Sequence, residues 1–281
     1  MFAIIAFITG LILGSFLSVV FTRLEIDPNL GSGRRQRRRK SKKVAKELLF
    51  GRSRCDHCHR PIAWSDNIPL VSFLLLRGQC RHCGKPIGEY HPVLELSSGL
   101  LLTAAYLYYG PTWQGLVAGL FGLFMLLIFA YDLRHQIIPN VVVVPATVLA
   151  LVVLLYQFVL FSNDSGLQLT LWSADPESYL LAGGALGLFF LVLSAASRGT
   201  WVGGGDIKLA ALIGLVLGWP YALVAVILAY VLGCVYAIVL LATKRATMKT
   251  SIAFGPMLVI GYFVAAFYGD VIANWYGKLF L

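Results

Sequence analysis

Two carboxylates stand out in a chain that is otherwise poor in charge. Asp132 ends an uncharged run in Tyr131-Asp132-Leu133-Arg134, just before Ile138-Pro139-Asn140, and Asp206 follows Gly203-Gly204-Gly205 and precedes Lys208. An ionisable residue at the edge of a membrane span is costly, so it marks a functional position by default. Two carboxylates held close cannot both ionise easily and share a proton. One then takes a proton from water while the other donates to a scissile carbonyl. Such chemistry needs neither a metal nor a covalent intermediate. Gly203, Gly204 and Gly205 suit substrate binding, because residues without side chains let a substrate strand approach the backbone and permit a tight turn into a helix. A helix amino terminus also favours a negative charge at Asp206. The competing reading is structural, with Asp206 as a helix cap and Asp132 paired to Arg134. The shared membrane depth and the glycine lead-in favour catalysis.

A second constellation is Cys55-x-x-Cys58 and Cys80-x-x-Cys83, separated by residues 59–79. Two knuckles of this kind suit a tetrahedral Zn²⁺ site, and four protein ligands leave no open position for a substrate, so the zinc is expected to be structural. The pairs fall on the reducing side of the topology given below, which argues against disulfides. His57, His59 and His82 flank the knuckles as possible replacement ligands. Trp64, Asp66-Asn67, Ile68-Pro69 and the apolar run Leu70 to Leu76 predict local order between the pairs, with much of the folding energy supplied by metal. Cys234 stands alone in an apolar segment and reads as a buried small apolar residue. His91 and His135 have no partner that the sequence names.

The elements that must carry these residues follow from composition. Of 281 residues, 58% are hydrophobic and 13% charged, whereas a soluble domain carries about 25% charged residues. The chain therefore reads as an all-α polytopic membrane protein. Met1 to Thr22 lacks a basic lead and a convincing cleavage site, so it reads as a retained span. Residues 96–131 carry no charge; as one helix they would reach about 54 Å, too long for a single crossing. Gly110-Pro111-Thr112-Trp113-Gln114-Gly115 supplies the break. Further spans are expected at 138–161, 178–197, 207–218, 220–242 and 252–270, the turn Gly218-Trp219-Pro220 dividing two of them. The plan is about eight transmembrane helices, with a small cytoplasmic zinc-binding module between the first and second. In domain terms it gives a first helix at 1–22, a basic loop and four-cysteine zinc module at 23–92, and a seven-helix protease domain at 93–281.

With the amino terminus outside, all 23 lysines and arginines except Lys278 fall on the cytoplasmic side, as the positive-inside rule demands. Asp132 and Asp206 then lie at the cytoplasmic rim. The formal charge of +10 owes much to the run Arg34 to Lys46. Beside a span, such a run marks sidedness and attracts anionic lipid headgroups rather than nucleic acid.

Together these motifs resemble the prepilin peptidase, or type IV leader peptidase, family. Gly14-Ser15-Phe16 is similar to its amino-terminal signature. Ser53 to Cys58, Trp64-Ser65-Asp66-Asn67-Ile68-Pro69 and Gly78-Gln79-Cys80 to Cys83 resemble its zinc module, and His91-Pro92-Val93-Leu94-Glu95 resembles the start of its second helix. Asp132 with Ile138-Pro139, Gly203-Gly204-Gly205-Asp206 with Lys208, and Phe254-Gly255-Pro256 resemble its remaining motifs. Ser18, His91 and Asp56 depart from residues common there, and Arg34 to Phe50 resembles an insertion. The resemblance implies cleavage of the basic leaders of prepilins or pseudopilins of type IV pili and type II secretion, after a glycine, at the inner membrane of a bacterium. It also implies amino-terminal methylation from S-adenosylmethionine, with Glu95 and the zinc module tied to that step. Two rival classes stay open. An intramembrane protease of the presenilin or preflagellin-peptidase kind shares the aspartate motifs but not the cysteine module. A proton-coupled transporter would use both acids as relays, although relay groups spread across a bilayer rather than gather at one edge.

Overall fold

The computed structural model describes residues 2–26, 54–55, 57–58, 60–160, 175–244, 247 and 253–280. The basic run Arg34 to Lys46, the insertion Arg34 to Phe50, Ser53, Asp56 and His59 lie outside the described residues. All described regular structure is helical, apart from two isolated β-bridges. In chain order the helices are α1 (Phe2–Ile26), the short α2 (Val71–Leu75), α3 (Tyr90–Tyr109), α4 (Trp113–His135), α5 (Asn140–Leu160), α6 (Pro176–Ala196), α7 (Gly204–Leu217), α8 (Tyr221–Ala242) and α9 (Gly255–Phe280). The backbone divides into two compact units, residues 1–104 and 105–281.

In the first unit, α1 and the start of α3 approach through small residues. A Cβ on Gly14 would stand 2.7 Å from Glu95 Cα, and one on Gly99 would meet the Phe7 ring at 2.9 Å. Lipid gives two helices no hydrophobic reason to associate, so such pairs rely on close backbone contact. That gives Gly14 of the Gly14-Ser15-Phe16 signature its physical purpose. The contact continues with Phe21 and Tyr90, whose ring centroids are 5.0 Å apart, and with Thr22 Oγ1 lying 3.3 Å from the Tyr90 hydroxyl.

The second unit is arranged around α7, which packs against α5, α6, α8 and α9. Leu209, Ala210, Leu212, Ile213 and Leu217 of α7 are fully buried. Its Gly214 lies on the α6 backbone, where a Cβ would be 2.6 Å from the Ala182 carbonyl carbon. Outward residues of the surrounding helices are apolar and exposed, among them Leu181, Ile238 and Val271. This inverts the pattern of a water-soluble bundle and is the pattern of helices solvated by lipid.

Among the described residues, six helices are long and apolar enough to cross a membrane: Phe2–Leu24, Trp113–His135, Asn140–Val159, Pro176–Ala196, Tyr221–Ala242 and Gly255–Trp275. They define a multi-pass membrane protein. The eight long helices expected from the sequence are all present, but two fall short of that standard. The α3 helix opens with polar residues, and α7 has 14 residues, about 21 Å against a hydrocarbon core of about 30 Å. Because α7 is enclosed by four neighbours, it need not reach both lipid surfaces. One expectation is corrected: Cys234 is exposed, not buried. On an outer face of α8 the solvent is hydrocarbon, so an apolar residue gains nothing extra by turning inward.

Candidate active site and cysteine module

The aspartates are placed by helix ends. The α4 helix stops one turn after Asp132, at Gln136, which adopts φ 51° and ψ 35° and donates its N–H to the Asp132 carbonyl at 2.8 Å. The chain then runs through Ile138-Pro139, and Asn140 begins α5. Asp206 sits in the first turn of α7, where its Oδ2 accepts the Gly203 N–H at 3.1 Å. The lead-in glycines thus orient the carboxylate as well as bend the backbone.

Packing brings the two helix ends together around Ile138. A Cβ on Gly205 would stand 2.9 Å from Ile138 Cβ, and one on Gly255 would collide with Asp132 Oδ2 while touching Ile138 Cδ1 at 3.3 Å. Ile138 therefore lies between the residue before Asp206 and the residue covering Asp132. Lys208 Nζ donates to Asn140 Oδ1 at 2.7 Å and ties the start of α7 to the start of α5. The Asp132 and Asp206 carboxylates are within electrostatic reach of each other. Asp132 is 3% exposed, whereas Asp206 is half-buried. Phe190, Tyr230 and Phe254 form an aromatic group beside this region, with the Tyr230 and Phe254 centroids 5.0 Å apart.

Gly255 and Ile138 are the site residues whose parts the sequence did not disclose. Phe254-Gly255-Pro256 was legible as a motif, but nothing in its spacing says which side chain the glycine must clear. Gly204 faces open space, with no atom within 4 Å of a Cβ built there, while a Cβ on Gly203 would stand 3.3 Å from Asp206 Oδ2. Tyr131 and Tyr90 supply neighbours for the two histidines left without a named partner, with ring centroids 4.5 Å from His135 and 4.2 Å from His91.

The four cysteines of the first unit also meet. Their sulfurs all lie within 4.8 Å of one another, with Cys55 and Cys83 Sγ 3.8 Å apart. Sulfurs about 2.3 Å from a shared zinc stand about 3.8 Å apart in a regular tetrahedron, so the thiols fit that ion. Each knuckle is built the same way. Cys55 N–H donates to the Arg60 carbonyl at 3.0 Å and Cys80 N–H to the Lys85 carbonyl at 2.9 Å. The bridges Arg54–Pro61 and Gln79–Pro86 close the two turns. The underlying signal is a repeat: Cys55 to Ile62 and Cys80 to Ile87 share Cys-x-His-Cys-x-(Arg/Lys)-Pro-Ile. Burial pushes the Cys55 thiol up to about 11, while the backbone N–H groups of Cys83 and His82 hold Cys80 down at about 7. The second is the easier thiolate to form.

Between the knuckles, Trp64–Asn67 forms a 3-10 turn and Val71–Leu75 a short helix. Arg81 forks onto Asp66, with Nε 2.9 Å from Oδ2 and Nη2 2.6 Å from Oδ1, and this guanidinium holds the Asp66 carboxyl below its usual range. The apolar run expected to order this region leaves Leu74 and Leu75 exposed along with Trp64. Order here comes from turns, the ion pair and the thiol cluster rather than from a core.

Membrane-length helices that gather two acids, with a tetrathiol insert in the same chain, are the architecture of a polytopic membrane enzyme carrying a cysteine module able to hold a metal. The chain belongs to the type IV leader peptidase family. The profile of that family matches residues 119–238, and that of the bacterial peptidase A24 N-terminal domain matches residues 8–109. A prepilin leader peptidase/N-methyltransferase of Stutzerimonas stutzeri is 34% identical, the match covering 98% of this chain and 93% of that protein. Proteins of the same description from Pseudomonas aeruginosa and Bacillus subtilis are 32% and 30% identical, over 98% and 99% of this chain and 93% and 98% of theirs. No solved structure gives a significant match.

Proposed function

We propose that this chain is an aspartyl endopeptidase that removes the basic leader of type IV prepilins or pseudopilins after a glycine, at the cytoplasmic face of the bacterial inner membrane. The observation that supports this reading is the packing of the Asp132 end of α4 and the Asp206 end of α7 around Ile138 and Gly255. Asp206, at the amide end of its helix, is suited to act as the base, and Asp132, at the carbonyl end of α4, as the acid. Asp206 removes a proton from water, the oxygen adds to the scissile carbonyl, and Asp132 donates a proton to the carbonyl oxygen. As the resulting diol collapses, Asp132 takes back a proton from one diol hydroxyl, the C–N bond breaks, and the proton on Asp206 passes to the leaving amine. Gly203, Gly204 and Gly205 line the approach of the substrate strand, with Gly204 free of neighbours that a strand would displace.

The sidedness argued from charge places the amino terminus outside and the basic run Arg34 to Lys46 against anionic lipids. Basic leaders would be repelled by that run, which supports a lipid role for it. Zn²⁺ would be held by Cys55, Cys58, Cys80 and Cys83 as a cross-link of the module, supplying folding energy and no reaction step. The relatives' description, together with the N-terminal-domain match over 8–109, supports a second activity, methylation of the new amino terminus from S-adenosylmethionine, for which Glu95 is the candidate residue. No glycine-rich nucleotide loop occurs among the described residues, and no step of methyl transfer is assigned to a side chain.

The test is cleavage of a detergent-solubilised prepilin by wild type, Asp132→Asn and Asp206→Asn. Full activity of either variant sinks the two-aspartate mechanism. Labelled S-adenosylmethionine in the same mixture tests methylation, which fails if the mature substrate carries no label.

A further inference from the structure

Glu95 is an acid inside a membrane-bound helix pair, 8% exposed, and the cleavage mechanism does not use it. Its Oε2 accepts the Leu70 N–H at 2.8 Å. Leu70 is the residue that joins the 3-10 turn of the cysteine module to α2, and its backbone is unusual, at φ 57° and ψ −43°. Val71 N–H closes a three-residue turn onto the Pro69 carbonyl at 2.6 Å. This is the positive-φ form of the γ-turn, which is rare and strained for a residue with a Cβ. The α1 backbone backs the acid from the other side, since a Cβ on Gly14 would stand 2.7 Å from Glu95 Cα. A buried acceptor thus meets a strained donor, and the helix bearing the acceptor is held in place by a glycine contact.

We propose that Glu95 is a positioning residue whose carboxylate latches the strained turn at Leu70 and so holds the cysteine module on the start of α3. It acts on the module's placement rather than on methyl donor or acceptor. The functional half of this inference rests on the bifunctional reading given above, while the structural half stands without it. The strained turn requires one acceptor for its backbone N–H, and a neutral amide oxygen in the same place also supplies it. Relief of the strain should make the latch dispensable, because glycine adopts positive φ without cost.

Four forms of the full-length, zinc-loaded protein test this: Glu95→Gln, Glu95→Leu, Leu70→Gly and the double variant Glu95→Leu/Leu70→Gly. Reaction of the four cysteines with a thiol reagent reports module order, and methylation of a solubilised prepilin gives kcat and the KM for S-adenosylmethionine. Glu95→Leu is expected to speed thiol reaction about tenfold and lower methylation kcat about tenfold, with KM changed less than about twofold. Glu95→Gln should stay within about twofold of wild type in both, and Leu70→Gly should recover at least about threefold in the Glu95→Leu background. Thiols as protected in Glu95→Leu as in wild type, or no recovery by Leu70→Gly, overturn the latch. If wild type transfers no label, the bifunctional reading fails and thiol protection alone decides the latch. If Glu95→Leu does not accumulate, accumulation of the double variant supports the latch and its absence overturns it.

Discussion

Around Asp132 and Asp206, positions are fixed by helix backbones in close contact, whereas around the four cysteines they are fixed by turns, an ion pair and thiols spaced for a metal. The aspartate region tolerates no added atom at Gly205 or Gly255, and α7 behind it is buried on nearly every side. The cysteine region has almost no core: the residues of its 3-10 turn and α2 are exposed or half-buried. The first region should therefore be sensitive to small changes in volume and indifferent to chelators, and the second the reverse. Both halves of that contrast can be broken by measurement.

The largest effect is expected at the acids themselves. Asp132→Asn or Asp206→Asn should lower leader cleavage by about 10³-fold or more with unchanged yield and helix content, assayed by the size shift of a prepilin. Next comes metal removal: a strong chelator should release about one zinc per chain and expose residues 54–88 to proteolysis, since such a site contributes on the order of 10 kcal/mol to a small module. The accompanying loss of cleavage should be smaller than that of the aspartate variants; an equal loss would erase the contrast between the regions.

Gly255→Ala ranks third, costing about 1–3 kcal/mol by overpacking against Asp132, and reducing cleavage steeply by displacing that carboxylate. Gly204→Ala supplies its control, because no atom waits within 4 Å. It should leave thermal stability unchanged or slightly raised. Slower cleavage by a stable Gly204→Ala would sharpen the reading that a substrate strand uses that space.

The smallest effect is expected in the module and belongs to Asp66→Asn. The Arg81 guanidinium depresses the Asp66 carboxyl in the folded state. Its stabilisation is therefore present at neutral pH and lost as pH falls through that depressed value, below about 4. The variant should be slightly less stable than wild type at pH 7 and equal to it in strong acid, in thermal melts followed by thiol exposure.

Much of this contrast was legible in the chain. Uncharged runs and their breaks located every long helix, because a lipid solvent leaves hydropathy as the main signal. The paired motifs named Asp132 and Asp206, and the knuckle spacing named the four cysteines. What stayed hidden is contact between parts distant in sequence. That Gly255 lies on Asp132, that Ile138 stands between the two acidic segments, or that Glu95 reaches Leu70 depends on how helices pack, and no local period encodes that. Cys234 was misread for a related reason: burial in protein and burial in lipid impose the same residue type.

The shortness of α7 has a consequence for supply. Its 14 residues leave about 9 Å of the hydrocarbon thickness without helix on that line. The chain preceding it, Ser197 to Gly203, is largely exposed and runs straight to Asp206. Each cut consumes one water molecule, and a wall of full-length helices would make that water cross oil. A stub in the middle of the bundle would spare that crossing: under the proposed function, the exposed segment Ser197 to Gly203 leads directly to Asp206.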